Sequence, residues 1–165
     1  MPIVDAILME MDQEAKTTRR VLERVPDDKL GWKPHAKSFT LGQLAMHIAG
    51  GQKQIAKMAN EDVWEVGNFT VPEAKSRKEL LETLDEGTSS AKHSLQKMDD
   101  TKLMSTWTLT KNGKTIMAVP RIGLIRSVMM NHFYHHRGQL SVYLRMLDVP
   151  VPSIYGPSAD ENPFA

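Results

Sequence analysis

With 165 residues, 41% of them hydrophobic and 25% charged, the chain has the composition of an ordinary globular protein, long enough to bury a core without staples. Its formal net charge of +1, without a long run of Lys or Arg, gives no electrostatic reason to expect nucleic acid or an anionic membrane as a partner. Having no cysteine, it lacks disulfides, thiolate metal ligands and cysteine nucleophiles together.

No apolar run reaches the ~20 residues that span a bilayer, and the N-terminal MPIVDAILMEMDQE carries acids where a secretory leader needs bases. A cytoplasmic protein folded as one domain over residues 1–165 is therefore expected.

From Ile3 to Val25, the residues Val4, Ile7, Leu8, Met11, Ala15, Thr18, Leu22 and Val25 recur at steps of three and four. This predicts an amphipathic helix, which Pro26 stops. After a loop holding Gly31, Trp32 and Pro34, Thr40 and Gln43 have the spacing of a capping box, with Phe39 placed to staple onto Leu44. The second helix so begun turns Leu41, Leu44, His47, Ile48, Ile55 and Met58 inward. Gly50 and Gly51 lower its propensity and fit either a close helix contact or a kink. Ser76 and Glu79 repeat the box spacing and open a third helix to about Met98, interrupted by the weak formers Gly87-Thr88-Ser89-Ser90.

The period then drops to two. Thr106 to Thr110 and Thr115 to Ala118 alternate on either side of Asn112-Gly113, the strongest short signal for a β-hairpin. A two-residue turn sets Leu109 opposite Ile116 and Trp107 opposite Ala118. A last helix is predicted from Pro120 to Leu147, with the stripe Ile125, Met129, His132, His136, Leu140, Tyr143 and Leu147. Beyond Asp148, Pro150, Pro152, Pro157 and Pro163 predict an extended tail. Four long helices and one hairpin make an all-α protein, a four-helix bundle with a small β-hairpin before the last helix.

Among six histidines an i,i+4 pair proves little by itself. Placement adds weight: His132 and His136 take consecutive slots of an apolar stripe, about 6 Å apart along one helix face, where two imidazoles converge on one ion. Burying them unpartnered would be costly. His47, inward on the second helix, brings a third nitrogen from a facing helix, which is how bundles build metal sites. The competing reading makes each a core histidine bonded to a carbonyl or a tyrosine hydroxyl. His135 projects about 100° away from His136, and His35 and His93 lie outside the stripes, so these three read as solvated.

Other groups read as packing or caps. The eleven methionines mostly follow helical spacing. Asp27-Asp28, Asp99-Asp100 and Asp160-Glu161 fall at turns or in the tail, as solvated caps. Neither a Gly-rich phosphate loop nor a Gly-x-Ser-x-Gly elbow occurs.

Three segments, KPHAKSFTLGQLAMHIA (33–49), NHFYHHRGQL (131–140) and VPSIYGPSADE (151–161), closely resemble the DinB (DinB/YfiT-like) family, whose H-x-x-x-H-R-G-Q-L signature lies in the second. The likeness runs through nearly the whole chain. It implies an up-down-down-up bundle with a long crossover, usually a homodimer. It also implies a divalent metal, commonly zinc or nickel, on three histidines that fall at His47, His132 and His136. The family is related to thiol-dependent S-transferases and to a maleylpyruvate isomerase.

The leading expectation is a metal-dependent transferase acting on a small-molecule substrate with a low-molecular-weight thiol. Three imidazoles leave a coordination position open, and a thiol entering it is deprotonated. A chain without cysteine takes its reactive sulfur from the cosubstrate. A metal-dependent hydrolase of the same fold is the alternative; it wants a general base, and no His-Glu-x-x-His is present. A third reading is a non-catalytic, stress-related metal-binding protein, although a purely structural ion normally has four protein ligands. Arg137, Gln139, Tyr143 and Tyr155 are available to orient a substrate, with Arg137 equally suited to a surface or dimer contact. The sequence assigns no catalytic residue.

Overall fold

The computed structural model describes residues 1–164. The helices are α1 (Ile3–Leu22), α2 (Leu41–Asn60), α3 (Arg77–Leu95), the short α4 (Asp100–Met104) and α5 (Arg121–Leu124), and α6 (His132–Met146). A π-helical segment, Ile125–Asn131, joins α5 to α6 in one continuous run. The fold is mainly helical: α2 packs against α3 and the last run, and α1 against α3 and α6. No described helix is long and apolar enough to cross a membrane.

The start of α2 follows its sequence signal. Thr40 Oγ1 accepts from Gln43 N and Gln43 Oε1 accepts from Thr40 N, both at 3.1 Å, so the capping box closes in both directions. At α3 only half of the expected box forms. Ser76 Oγ accepts from Glu79 N at 3.1 Å, but the Glu79 carboxylate turns to Lys75 N at 2.6 Å.

The glycines inside α2 and α3 mark close contact, and neither helix breaks at them. A Cβ at Gly51 would stand 2.0 Å from Phe133 Cζ, and one at Gly87 3.0 Å from the Ala49 carbonyl oxygen. That carbonyl is backbone, so α2 and α3 approach as closely as they do only because residue 87 has no side chain.

Two apolar clusters form the core. One gathers Leu22, Leu44, Leu80, Leu140 and Leu144; the other gathers Met11, Ala59, Leu95, Trp107, Ile125 and Met129. Between Met130 and Leu140 no buried residue of the last helical run joins either cluster, and that interval carries His132 and His136. The histidines sit at the seam.

The hairpin forms from β2 (Thr106–Lys111) and β3 (Lys114–Pro120), turning on Asn112 and Gly113 with φ of 52° and 72°. Two positive φ values are what a primed hairpin turn requires. The expected register holds only beside the turn. An irregularity between Leu109 and Thr110 slips the ladder by one, so Leu109 faces Met117 and Trp107 faces Val119. The slip leaves Ile116 exposed on β3, since a one-residue shift moves side chains to the other face.

A strand absent from the sequence reading, β1 (Val63–Glu65), adds to β2 in parallel, giving the order β1-β2-β3. Trp107 anchors this small sheet, fully buried with its indole N–H donating to the Met58 carbonyl at 3.0 Å. Arg121, also fully buried, donates to the Glu61 and Lys102 carbonyls at 2.9 Å and to Asp62 Oδ1 at 2.6 Å, tying the end of α2 to α4.

The last helix departs most from expectation. His132 N–H bonds to the Ser127 carbonyl five residues back, so the π segment adds a residue to the turn. Met129 and Met130 are consequently both buried, and Phe133, Arg137 and Leu144 take the inward places expected of His132, His136 and Tyr143, while Leu140 keeps its own. His132 and His136 are thereby displaced from the stripe's centre to its half-buried edge.

The tail after α6 is irregular, as the prolines predict, but its acids are not simply solvated. Asp160 Oδ2 accepts from Val151 N at 2.8 Å, Glu161 Oε2 accepts from Ser153 N at 2.6 Å, and the two pair with Arg145 and Arg20. Among the other acids, Asp99 Oδ1 accepts from Lys102 N, Asp100 Oδ1 from Ile3 N and Asp27 Oδ1 from Arg77 N, as caps do, whereas Asp28 pairs with Lys29.

Candidate metal centre

His47 lies two turns into α2, and His132 and His136 begin the first and second turns of α6. The packing of α2 against the last helical run brings all three together, so that one nitrogen of each lies within 4.8 Å of the others. His47 Nε2 is 3.0 Å from His132 Nε2. The ring centroids are 4.4 Å apart for His132 and His136, and 4.7 Å for His47 and His136. His35, His93 and His135 are exposed and outside the group, as expected.

The surroundings favour neutral imidazoles. Burial, then the proximity of His136 and His132, lowers His47 from 6.5 to about 4. Burial also lowers His132 and His136; for His136 the Gln139 contact acts in the opposite sense. His136 Nδ1–H donates to Gln139 Oε1 at 2.7 Å, which leaves the Nε2 lone pair free.

The donor set fits a divalent ion. Nitrogens bound tetrahedrally at 2.0–2.1 Å are about 3.3 Å apart, near the His47–His132 separation, and catalytic zinc sites commonly use three protein ligands. His47, His132 and His136 could therefore hold one ion with a position left over.

The three histidines border a cavity of about 400 Å³ whose walls include Phe39, Ile55, Phe69, Val128 and Phe133. Among the described residues its lining carries no Asp, Glu, Lys or Arg. Phe39, expected as a staple, stays 36% exposed with its ring 6.2 Å from His47, so it borders the site. The wall of Phe69 and Val128 was not read from the sequence. Phe69 lies in an aperiodic loop that gives no signal, and Val128 lies within the π segment.

Arg137 is a correction. It is neither a surface nor a dimer contact but 1% exposed, with its Nη2 donating to Glu14 Oε2 at 2.6 Å and to the Tyr155 hydroxyl oxygen at 2.5 Å. Its Nη1 donates to Thr18 Oγ1 at 3.0 Å, and its guanidinium lies 5.2 Å and 5.1 Å from the Tyr134 and Tyr155 ring centres. Glu14 and Thr18 on the inward side of α1 were the available signal. Of the other residues considered for substrate, Tyr143 donates to the Phe39 carbonyl at 3.3 Å, and Gln139 serves His136.

Comparison with known proteins agrees with this architecture. The chain is 26% identical over 161 residues to the uncharacterized protein YrdA of Bacillus subtilis, covering 96% of this chain and 91% of that one. A crystal structure of a DinB-like protein from Bacillus cereus superposes with a TM-score of 0.72 at 22% identity, over 93% of this chain and 98% of that one. The DinB-like YjoA of Bacillus subtilis gives 0.67 at 20% identity, over 88% and 96%. The DinB family model matches residues 2–163, and the chain belongs to the DinB family.

Proposed function

We propose that this protein is a metal-dependent transferase that joins a low-molecular-weight thiol to a small electrophile, with His47, His132 and His136 as ligands and zinc or nickel as the ion. The observation that carries this reading is the convergence of three imidazoles, two of them with Nε2 atoms 3.0 Å apart, at the wall of a cavity. Held by these three residues, a divalent cation would supply the charge that favours the thiolate form of a bound thiol.

The residues of the chain supply the setting. Half-burial keeps the imidazoles neutral and able to coordinate, and Gln139 fixes the tautomer of His136. Phe39, Phe69 and Phe133 line the cavity beside the histidines with apolar surface. The thiol proton leaves to solvent, a carbon–sulfur bond forms, and the leaving group departs with the electron pair of the bond it gives up. No carboxylate lines the cavity among the described residues, so hydrolysis would lack the base it wants. We extend the proposal to a homodimer, on family membership; light scattering reads it.

Metal analysis of the purified chain under replete conditions should give one ion per chain, lost in His47→Ala and His132→Ala. Incubating the loaded protein with monochlorobimane and a panel of low-molecular-weight thiols should give a metal-dependent adduct with at least one. Absence of stoichiometric metal removes the site; metal without any adduct removes the transferase.

A further inference from the structure

His47 borders two hollows of different chemistry, and His132 and His136 border only the first. The first is the 400 Å³ cavity, walled by Ile55, Val128 and three phenylalanines. The second, of about 420 Å³, is lined by Asn68, Thr70 and Thr83 as well as apolar groups, and does not reach His132 or His136. They share His47, Gly51, Gln54 and Phe69. Phe69 stands edge-on to His47 with 5.6 Å between ring centroids, and its side chain borders both hollows.

The contrast separates what each hollow can hold. Away from the three histidines, a charged group entering the first would leave water for a wall of phenyl and aliphatic groups with no countercharge, which is strongly unfavourable. A neutral apolar group loses nothing there and removes phenyl and aliphatic surface from water. The volume is near the low end for small-molecule sites, which suits one or two fused rings. The second hollow offers amide and hydroxyl groups in addition to apolar contacts, so it can satisfy a polar molecule.

We propose that the cavity beside His132 and His136 is the subsite for a neutral, aryl-sized electrophile, and that Phe69 is the partition between it and the hydrogen-bonding hollow that takes the polar body of the thiol. This rests on the three-histidine centre being the reactive one. It narrows the substrate class to acceptors whose ring, held away from the histidines, is uncharged and apolar.

Non-reacting ring compounds test the cavity apart from the chemistry. The full-length chain, stripped of metal so that no carboxylate can coordinate, is titrated with 2-naphthol and with 2-naphthoate and followed by NMR shifts. Naphthol should bind at least about tenfold more tightly than naphthoate, because only the latter buries a charge. Val128→Trp, which fills the cavity, should abolish naphthol binding, while Asn68→Trp in the other hollow should leave it within about twofold. Val128→Lys should reverse the preference in favour of naphthoate. Equal or tighter binding of naphthoate by the wild type, or binding insensitive to Val128→Trp, overturns the subsite assignment. Metal analysis of the same preparation reports separately on the histidine centre, so naphthol binding without metal competence would sink the reading of the centre and leave the cavity's selectivity measured.

Discussion

Arg137 and Glu14 form an ion pair out of water, Nη2 to Oε2 at 2.6 Å, with side chains only 1% and 9% exposed. The pair fastens α6 to α1 beside His136. Removing one member strands the other charge, at a cost of about 3–5 kcal/mol, whereas replacing both with apolar groups of similar size is close to neutral. Arg137→Met should therefore destabilise the chain strongly in urea unfolding, and Glu14→Leu combined with Arg137→Met should recover most of the loss. Equal losses in the single and double variants would contradict this account.

Adjacent glycines in α2 make opposite predictions. Alanine at an exposed helical position gains about 1 kcal/mol over glycine. At Gly50 the added Cβ meets only Thr83 Cγ2, at 3.3 Å, so Gly50→Ala should be neutral or slightly stabilising. At Gly51 it would overlap the buried ring of Phe133, and overpacking of about 1–3 kcal/mol outweighs the gain. Thermal unfolding of the two variants reads the difference directly.

Metal should stabilise the folded chain by mass action. At free metal 100 times the dissociation constant, the gain is about 2.7 kcal/mol, seen as a raised melting temperature. His132→Ala should show no such rise. A rise of the same size in that variant would mean that the ion binds elsewhere.

Without metal, stability should fall on acidification. In the folded chain His47 titrates near about 4 against an ordinary 6.5, and His132 and His136 are lowered as well. Between those values the unfolded chain binds protons that the folded one refuses. The contribution is complete above pH 6.5 and is lost as pH drops through that window toward about 4. The groups are only half-buried, so solvent moderates the effect. The urea midpoint should decline between about pH 7 and about pH 4.5, and less steeply in His47→Gln.

The helices and the three histidines were legible because both are written in short-range pattern. Thr40 and Gln43 announce a helix start three residues apart, and His132 and His136 share a helix face whatever surrounds them. His47 was legible from the inward stripe of the second helix, although its partner His132 lies 85 residues away, and the family segments matched all three. What stayed hidden depends on insertions into a regular period. The irregularity at Leu109 and Thr110 shifted the hairpin, and the π segment shifted the inward face of α6, which is why Arg137 read as a surface residue. Strand β1 is three residues long, too short for its alternation to register.

The extra residue in Ile125–Asn131 also has an evolutionary side. Deleting one residue there would rotate everything upstream by about 100° relative to α6 and restore an ordinary helical period. A frame-preserving loss of one codon would thus keep every histidine in the gene while pitting the stripe below the site against the stripe above it. A chain that kept all three histidines but lost that residue would therefore be expected to present them differently.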